Sequence, residues 1–214
     1  MTAAAGDPPH DPDAPGDPIA EPSFVSRGGL KLAHALDAFG LDVTGMTGAD
    51  LGCSTGGFTD CLLQHGAARV FAIDTAYGQL AWKLRSDERV TVMERSNALH
   101  TEAPQRVDLV VIDLGWTKQE RAIPAALRWV GAGGRIITLV KPHYEADKSL
   151  LGEGGVMDPG DAERVSESVR DALPELGVRV LGWTKSPVLG GAAGKRRKRG
   201  AGNPEWLALL APSP

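Results

Sequence analysis

The chain has 214 residues, enough for one sizeable α/β domain or two small ones with a full core. It contains no apolar run near eighteen residues and no charged-then-apolar leader, so we expect neither a membrane span nor a signal peptide. A net charge of −4 argues against a polyanionic partner, but the charges are unevenly distributed.

Residues 1–22 form an acidic segment with five carboxylates, no Lys or Arg, six prolines and almost no large apolar side chain. Such a segment cannot bury enough surface to offset the entropy of ordering, so we predict that it is disordered. The rest of the chain alone carries a net charge of +1. Residues 23–214 are predicted to form one domain.

The first predicted element is a short helix that ends at Phe39, with Lys31 in its first turn. From Thr47 onward, predicted strands and helices alternate. The strands are expected at 47–51, 69–74, 90–94, 107–113, 134–140, 178–184 and 205–210. The helices are expected at 57–64, 78–85, 119–130 and 160–173. Because strands 107–113 and 134–140 are nearly continuous apolar runs, they predict a parallel doubly wound α/β sheet that is covered on both faces.

A glycine loop lies between the first strand and the next helix. Gly52, Gly56 and Gly57 allow a tight turn and a close approach to a ligand, and the helix directs its first N–H groups there. The loop lacks the second close glycine of pyrophosphate sites, which makes an NAD enzyme the least favoured reading. S-adenosylmethionine fits better, since its ammonium needs a carboxylate such as Asp50. An ordinary strand-to-helix turn is the alternative.

Polar residues follow several of the predicted strands. Asp74, 24 residues after Asp50, is placed to accept from a ribose, and Asn97 to bind an adenine edge. Asp113 and Lys141 follow the fourth and fifth strands. Each alone reads equally well as a helix cap or a solvated strand end. Because the carboxyl ends of parallel strands share one edge, together they predict a single ligand crevice.

If the acceptor is a hydroxyl, the crevice needs a base. A lysine serves only when its pKa falls, which burial and a second cation promote. We therefore predict Lys141 as the base, with Lys31 as a cationic neighbour and Asp113 to orient it. Trp116 would stack on a splayed base or simply pack.

Residues 190–202 form a glycine-flanked basic loop, in which five consecutive cations are expected to grip RNA phosphates without reading sequence: Lys195, Arg196, Arg197, Lys198 and Arg199. A solvated loop or a targeting-like run is the alternative. Cys53 and Cys61 lack metal-ligand spacing, so we expect no metal and reduced packing residues in a cytoplasmic protein.

Five segments together resemble the FtsJ-type 2′-O-ribose RNA methyltransferases, most closely their TlyA or hemolysin-like branch. These segments are Ser26-Arg-Gly-Gly-Leu-Lys31-Leu, Asp50-Leu-Gly-Cys-Ser-Thr-Gly-Gly-Phe-Thr-Asp60, Tyr77-Gly-Gln-Leu-Ala-Trp-Lys-Leu84, Lys141-Pro-His-Tyr-Glu145 and Gly202-Asn-Pro-Glu205. The resemblance covers about residues 24–210. It implies a Rossmann-like class I S-adenosylmethionine-dependent methyltransferase fold, with helices on both faces of a seven-stranded sheet whose last strand is antiparallel.

The resemblance also assigns residues. It implies a catalytic tetrad of Lys31, Asp113, Lys141 and Glu205, of which Glu205 comes from the resemblance alone. It places the cofactor at Asp50, Gly52, Ser54, Gly56, Gly57, Phe58, Asp74, Asn97 and Asp113. It implies that ribosomal RNA is the substrate.

This chain departs from the family pattern at two places. The branch usually carries an S4 RNA-binding domain where this chain has its acidic segment, so RNA affinity is expected to rest on residues 23–214. The loop after Asp113 reads Asp-Leu-Gly-Trp-Thr instead of Asp-Leu-Ser-Phe-Ile-Ser, which bears on substrate identity. A non-catalytic RNA-binding or ribosome-assembly factor and a small-molecule O-methyltransferase remain alternatives.

Overall fold

A computed structural model describes residues 24–190 and 202–214. The segment 1–22 and the basic run 195–199 lie outside these described residues. The strands are β1 (Thr47–Leu51), β2 (Arg69–Ile73), β3 (Val90–Met93), β4 (Val107–Ile112), β5 (Val130–Val140), β6 (Val178–Lys185) and β7 (Trp206–Pro212). The α-helices are α1 (Gly28–Phe39), α2 (Gly57–Gln64), α3 (Trp82–Arg85), α4 (Gln119–Leu127), α5 (Pro142–Glu145) and α6 (Pro159–Ala172). Short 3₁₀ turns lie at Lys148–Leu150, Glu153–Gly155 and Leu173–Leu176.

The strands form a seven-stranded sheet in the order β3-β2-β1-β4-β5-β7-β6. β1 to β5 pair in parallel, while β7 runs antiparallel to both β5 and β6. The predicted fold class, a mostly parallel seven-stranded α/β sheet, is confirmed. None of the helices within the described residues is long and apolar enough to cross a membrane.

Helices cover both faces of the sheet, which explains the continuous apolar strands. In β4, Leu109 and Val111 pack with side chains of α1 and α2, whereas Val110 and Ile112 pack with α4 on the other face. Since successive side chains of a strand point to opposite faces, a strand buried on both sides needs apolar residues at every position.

The structure corrects three predicted boundaries. The helix expected at 78–85 exists only as α3, because Gly78 has a φ of +73° and Ala81 is extended. The helix expected at 119–130 ends at Leu127. The strand expected at 134–140 begins at Val130. Its glycine-rich start resembles a turn in the sequence, which is why the prediction missed it. In the structure, Gly134 lies too close to Val130 and Asp108 for any side chain.

Because β7 runs opposite to the parallel strands, its first residue lies at the edge of the sheet where those strands end. Val140, the last residue of β5, pairs with Trp206, the first residue of β7. The residues just beyond this pair, Lys141 and Glu205, therefore emerge side by side at the carboxyl ends of the parallel strands.

Candidate active site

The loop between β1 and α2 requires glycine at two positions. Gly52 has a φ of +94°, and a Cβ there would lie 2.7 Å from the carbonyl oxygen of Asp113. Gly56 has a φ of +100°, and a Cβ there would lie 2.3 Å from Leu84. Both positions combine a left-handed backbone with a close neighbour, so a side chain would displace the loop.

Asp50 is a fully buried carboxylate beneath this loop. Its Oδ2 accepts hydrogen bonds from the Thr59 backbone N–H at 2.9 Å and from the Thr59 hydroxyl at 2.7 Å. Its Oδ1 has no partner within the described part of the chain. Burial, helped by the carboxylates of Asp113 and Asp74, raises the pKa of Asp50 to about 7. A cation placed against Oδ1 would satisfy the free oxygen and favour the charged form.

Asp74 follows β2 and holds the glycine loop. Its Oδ2 accepts from the backbone N–H of Ser54 at 2.8 Å, and its Oδ1 accepts from that of Ala76 at 2.8 Å. Ser54 has a φ of +48°, a left-handed conformation that non-glycine residues rarely adopt. Asn97, beyond β3, accepts from the backbone N–H of Leu99 at 3.0 Å and is exposed.

These elements surround a cavity of about 670 Å³, a typical volume for a small-molecule site. Of the nine residues predicted to bind the cofactor, eight line it: Asp50, Gly52, Ser54, Gly57, Phe58, Asp74, Asn97 and Asp113. Gly56 does not line the cavity, and its part is to allow the left-handed turn of the loop. Their role in binding stays a prediction.

The four residues of the implied tetrad meet at one end of this cavity. Lys141 Nζ lies 2.5 Å from Asp113 Oδ1 and donates to the Leu114 carbonyl at 3.0 Å. Lys31 forms an ion pair with Glu205. Lys31, Asp113 and Lys141 line the cavity, while Glu205 is buried behind them. Their catalytic role stays a prediction, but residues far apart in the chain are brought together.

The pairing of charges corrects one expectation. Burial lowers the pKa of Lys141, but the Asp113 carboxylate, its hydrogen bond and the charge of Glu205 outweigh burial and raise the pKa overall. Lys31 forms an ion pair with Glu205, and it is not among the groups that shift the pKa of Lys141. The prediction of a lowered pKa is therefore wrong for the protein alone.

A pair of aromatic side chains lies beside Lys141 of the tetrad. Trp116 is 83% exposed, has a φ of +56°, and lies with its ring centroid 4.9 Å from that of Tyr144. Lys141 Nζ lies 5.6 Å from the Tyr144 ring centroid. Trp116 is thus no core residue, although its ring contacts Tyr144, and its stacking on a base stays a prediction. Sequence reasoning missed Tyr144, although its position three residues after the proposed base was a usable signal.

Two further cavity residues were missed. Ser26 and the exposed Arg27 line the wall just before α1. Their segment is held by the buried Asp60, which accepts from the Val25 backbone N–H at 2.8 Å. Within the described residues, no cluster of His, Cys, Asp and Glu is arranged to hold a metal ion.

The flanks of the basic loop adjoin the buried end of the tetrad. Gly190 donates its backbone N–H to the Asn203 carbonyl at 2.8 Å, and a Cβ at Gly190 would lie 2.2 Å from Glu205 Oε1. The cations 195–199 themselves fall outside the described residues, so their predicted contact with RNA is not located by the structure.

Residues 24–196 match the model of the FtsJ-like methyltransferase family. The chain belongs to this family. The resemblance inferred from the five sequence segments is confirmed.

The most informative relatives differ in coverage. The chain is 46% identical over 175 residues to the 16S/23S rRNA (cytidine-2′-O)-methyltransferase TlyA of Mycobacterium tuberculosis, covering 80% of this chain but 65% of that protein. It therefore spans slightly less than two thirds of this relative's length. A solved structure titled "Putative hemolysin" from Streptococcus thermophilus is 37% identical, with a TM-score of 0.81, and the match covers 93% of this chain and 70% of that one.

A more distant structure shows the fold alone. The N-methyltransferase NodS from Bradyrhizobium japonicum is 14% identical, with a TM-score of 0.56 over 88% of this chain and 98% of that one. The fold is that of the class I S-adenosylmethionine-dependent methyltransferases.

Proposed function

We propose that this FtsJ-like chain is an S-adenosylmethionine-dependent methyltransferase that modifies a ribose 2′-hydroxyl of ribosomal RNA. The observation that carries the proposal is the pair of lysine–carboxylate contacts, Lys141 with Asp113 and Lys31 with Glu205, at one cavity. The printed activity of the TlyA relative supports the choice of ribosomal RNA and of the 2′-oxygen.

The cavity fits this cofactor. The free Oδ1 of buried Asp50 is an acceptor that lacks a cation, and the cofactor's ammonium would supply one. Asp74 would accept from the ribose hydroxyls and Asn97 would bind the adenine edge. Gly52 keeps the loop clear of side chains. When bound, the cofactor supplies a methyl group on a positively charged sulfur, whose charge also lowers the pKa of a nearby ammonium.

Lys141 is the proposed general base that takes the ribose proton onto Nζ. Asp113 orients this nitrogen through their 2.5 Å contact. Lys31 and Glu205 form an ion pair beside it, so Asp113 is the carboxylate in direct contact with Lys141. A positioned base contributes about 10² to 10⁴ in rate, and alignment of the acceptor contributes further.

RNA would meet this domain at two places. Trp116, exposed beside the tetrad, would stack on the base of the target nucleotide. The cations 195–199, whose flanks adjoin Glu205, would bind phosphates. We infer that the protein acts in the cytoplasm, because its substrate is ribosomal and Cys53 and Cys61 are both free thiols.

The test is transfer of a labelled methyl group to unmethylated ribosomal subunits and to naked ribosomal RNA. The wild type should methylate a 2′-oxygen of one of them. Lys141→Ala should reduce transfer by about 10²- to 10⁴-fold with cofactor affinity intact. Arg179→Ala, which removes an exposed cation of β6 outside the cavity lining, is the control and should leave transfer unchanged.

Other outcomes separate the alternatives. Cofactor binding without transfer to any RNA would contradict the proposal. Unimpaired function of Lys141→Ala in cells would favour a non-catalytic assembly factor. Activity that survives deletion of residues 190–202 would favour a small-molecule acceptor, and tighter binding of NAD than of S-adenosylmethionine would favour an oxidoreductase.

A further inference from the structure

The loop between β4 and α4 is held at both ends by one short segment, the five residues that follow β5. At the loop's first end, Lys141 binds Asp113 at 2.5 Å and the Leu114 carbonyl at 3.0 Å. At its last end, Glu145 Oε1 accepts from the backbone N–H of Gln119 at 2.9 Å. The segment 141–145 thus contacts both ends of the β4–α4 loop.

The second attachment substitutes for a missing helix cap. Gln119 begins α4, and the residue before it, Lys118, provides no side-chain cap. The first N–H groups of a helix lack partners within it and favour a nearby carboxylate. Glu145 supplies that carboxylate from 26 residues away, and the burial of its carboxyl raises its pKa.

Gln119 is anchored from the other side as well. Its side chain is buried, accepts from the Thr138 hydroxyl at 2.8 Å and donates to the Leu139 carbonyl at 3.3 Å. The start of α4 is therefore fixed to β5 through its side chain and to the segment 141–145 through its backbone.

The middle of the loop has little support of its own. A Cβ at Gly115 would meet nothing within 4 Å, and the Thr117 hydroxyl donates within the loop, to the Gly115 carbonyl at 3.0 Å. Trp116 adopts its left-handed backbone and touches Tyr144 across the gap. Because the loop's interior is weakly held, the position of Trp116 depends on the two attached ends.

We propose that Glu145 is a positioning residue for the acceptor nucleotide, acting through Gln119 to hold the Trp116 loop against Tyr144. This inference rests on the proposed function, since it assigns the loop to RNA. The cofactor residues Asp50, Asp74 and Asn97 lie on other elements, so Glu145 should affect the two ligands differently.

The kinetic test compares four variants with unmethylated ribosomal subunits as acceptor. Glu145→Ala should raise KM for the subunits about tenfold, the scale expected for one lost charge-assisted hydrogen bond, and change kcat less than about threefold. Glu145→Gln keeps an oxygen acceptor and should restore the wild-type KM. Glu145→Asp keeps the charge but is too short to reach Gln119, so it should behave like Ala. Glu120→Ala, which removes the exposed acid next to Gln119 in the first turn of α4, is the control for loss of a nearby charge.

A second measurement does not depend on activity. Backbone hydrogen exchange across residues 114–119 should be faster in Glu145→Ala and Glu145→Asp than in the wild type and Glu145→Gln. Affinity for S-adenosylmethionine should stay within about twofold in all four variants. Thermal melting verifies that each is folded, and Glu145→Asp substitutes for Glu145→Ala if the latter fails to fold.

The outcomes separate the two proposals. If the wild type transfers no methyl group to RNA, the proposed function fails. Hydrogen exchange would still test whether Glu145 holds the β4–α4 loop. If the wild type is active but Glu145→Ala and Glu145→Asp keep its KM and its exchange rates, the role assigned to Glu145 is wrong. An equal loss of kcat and of cofactor affinity would show a merely structural role and would also overturn it.

Discussion

At the scale of single residues, the least expected feature is the carboxylate of Asp50, which is buried and whose Oδ1 has no hydrogen-bond partner among residues 24–190 and 202–214. Burying a carboxylate without full compensation favours its protonated form, which explains why its pKa is raised to about 7. Such a group is costly in the protein alone and becomes favourable when a cation reaches it. The residue therefore couples protonation to ligand binding.

This coupling predicts a pH dependence of cofactor affinity. Below pH 7 the free protein carries neutral Asp50, which must lose its proton before it pairs with the cofactor's ammonium. The dissociation constant for S-adenosylmethionine, measured by calorimetry, should therefore rise as pH falls below 7, by about tenfold from pH 7.5 to pH 6. Among the described residues that line the cavity there is no histidine to confuse the titration.

Asp50→Asn is the control for that titration. It should bind the cofactor more weakly and show a flat dependence between pH 5.5 and pH 7.5, because the titrating group is gone. A wild-type dissociation constant that stays constant over this range would contradict the assignment of Asp50 to the ammonium.

At the scale of elements, the β1–α2 loop shows how a backbone conformation fixes a site. Gly52 lies so close to Asp113 that a Cβ added to it would be 2.7 Å from the Asp113 carbonyl oxygen. The β1–α2 loop, which the proposed function assigns to the cofactor, is thereby held in contact with Asp113, the residue that follows β4. A side chain at Gly52 would separate them.

Gly52→Ala should therefore destabilise the fold and weaken cofactor binding together. The left-handed backbone alone costs an L residue about 1–2 kcal/mol, and the contact with Asp113 adds to it. Gly45→Ala is the matched control, since Gly45 has a φ of +75° with nothing within 4 Å of a Cβ. Urea unfolding should show a larger loss for Gly52→Ala, and only Gly52→Ala should lose affinity for S-adenosylmethionine. Equal losses would show that strain alone matters.

The elements also show where sequence reasoning succeeds and fails. Asp74, Asp113 and Lys141 were predicted to converge because each follows a parallel strand, and such strand ends share one edge. Glu205 was not predicted from spacing, since it precedes a strand, and an apolar pattern does not reveal that β7 runs antiparallel. The raised pKa of Lys141 depends on which acid each lysine pairs with, and only the folded chain determines that pairing.

At the scale of the whole molecule, the net charge is negative although one segment is strongly basic. The chain is acidic overall at −4, yet five consecutive cations lie at 195–199, between flanks that adjoin the tetrad. A net negative charge opposes association with RNA, so a local cluster has to supply the attraction. If these cations contact phosphates, they should contribute affinity that does not depend on nucleotide sequence.

Replacing the five cations at 195–199 by Gln should weaken binding of ribosomal RNA and make it less sensitive to salt. Each phosphate contact contributes about 0.7 to 0.9 to the slope of log affinity against log salt, so loss of all five should reduce that slope by about 3.5 to 4.5. Filter binding at several salt concentrations measures this slope, and cofactor affinity should not change. The control replaces the exposed Arg164 and Arg179, outside the cavity lining, by Gln. An unchanged slope in the 195–199 variant would assign phosphate binding to another surface. A loss in the control about two fifths as large, in proportion to the two charges removed, would show that only total charge matters.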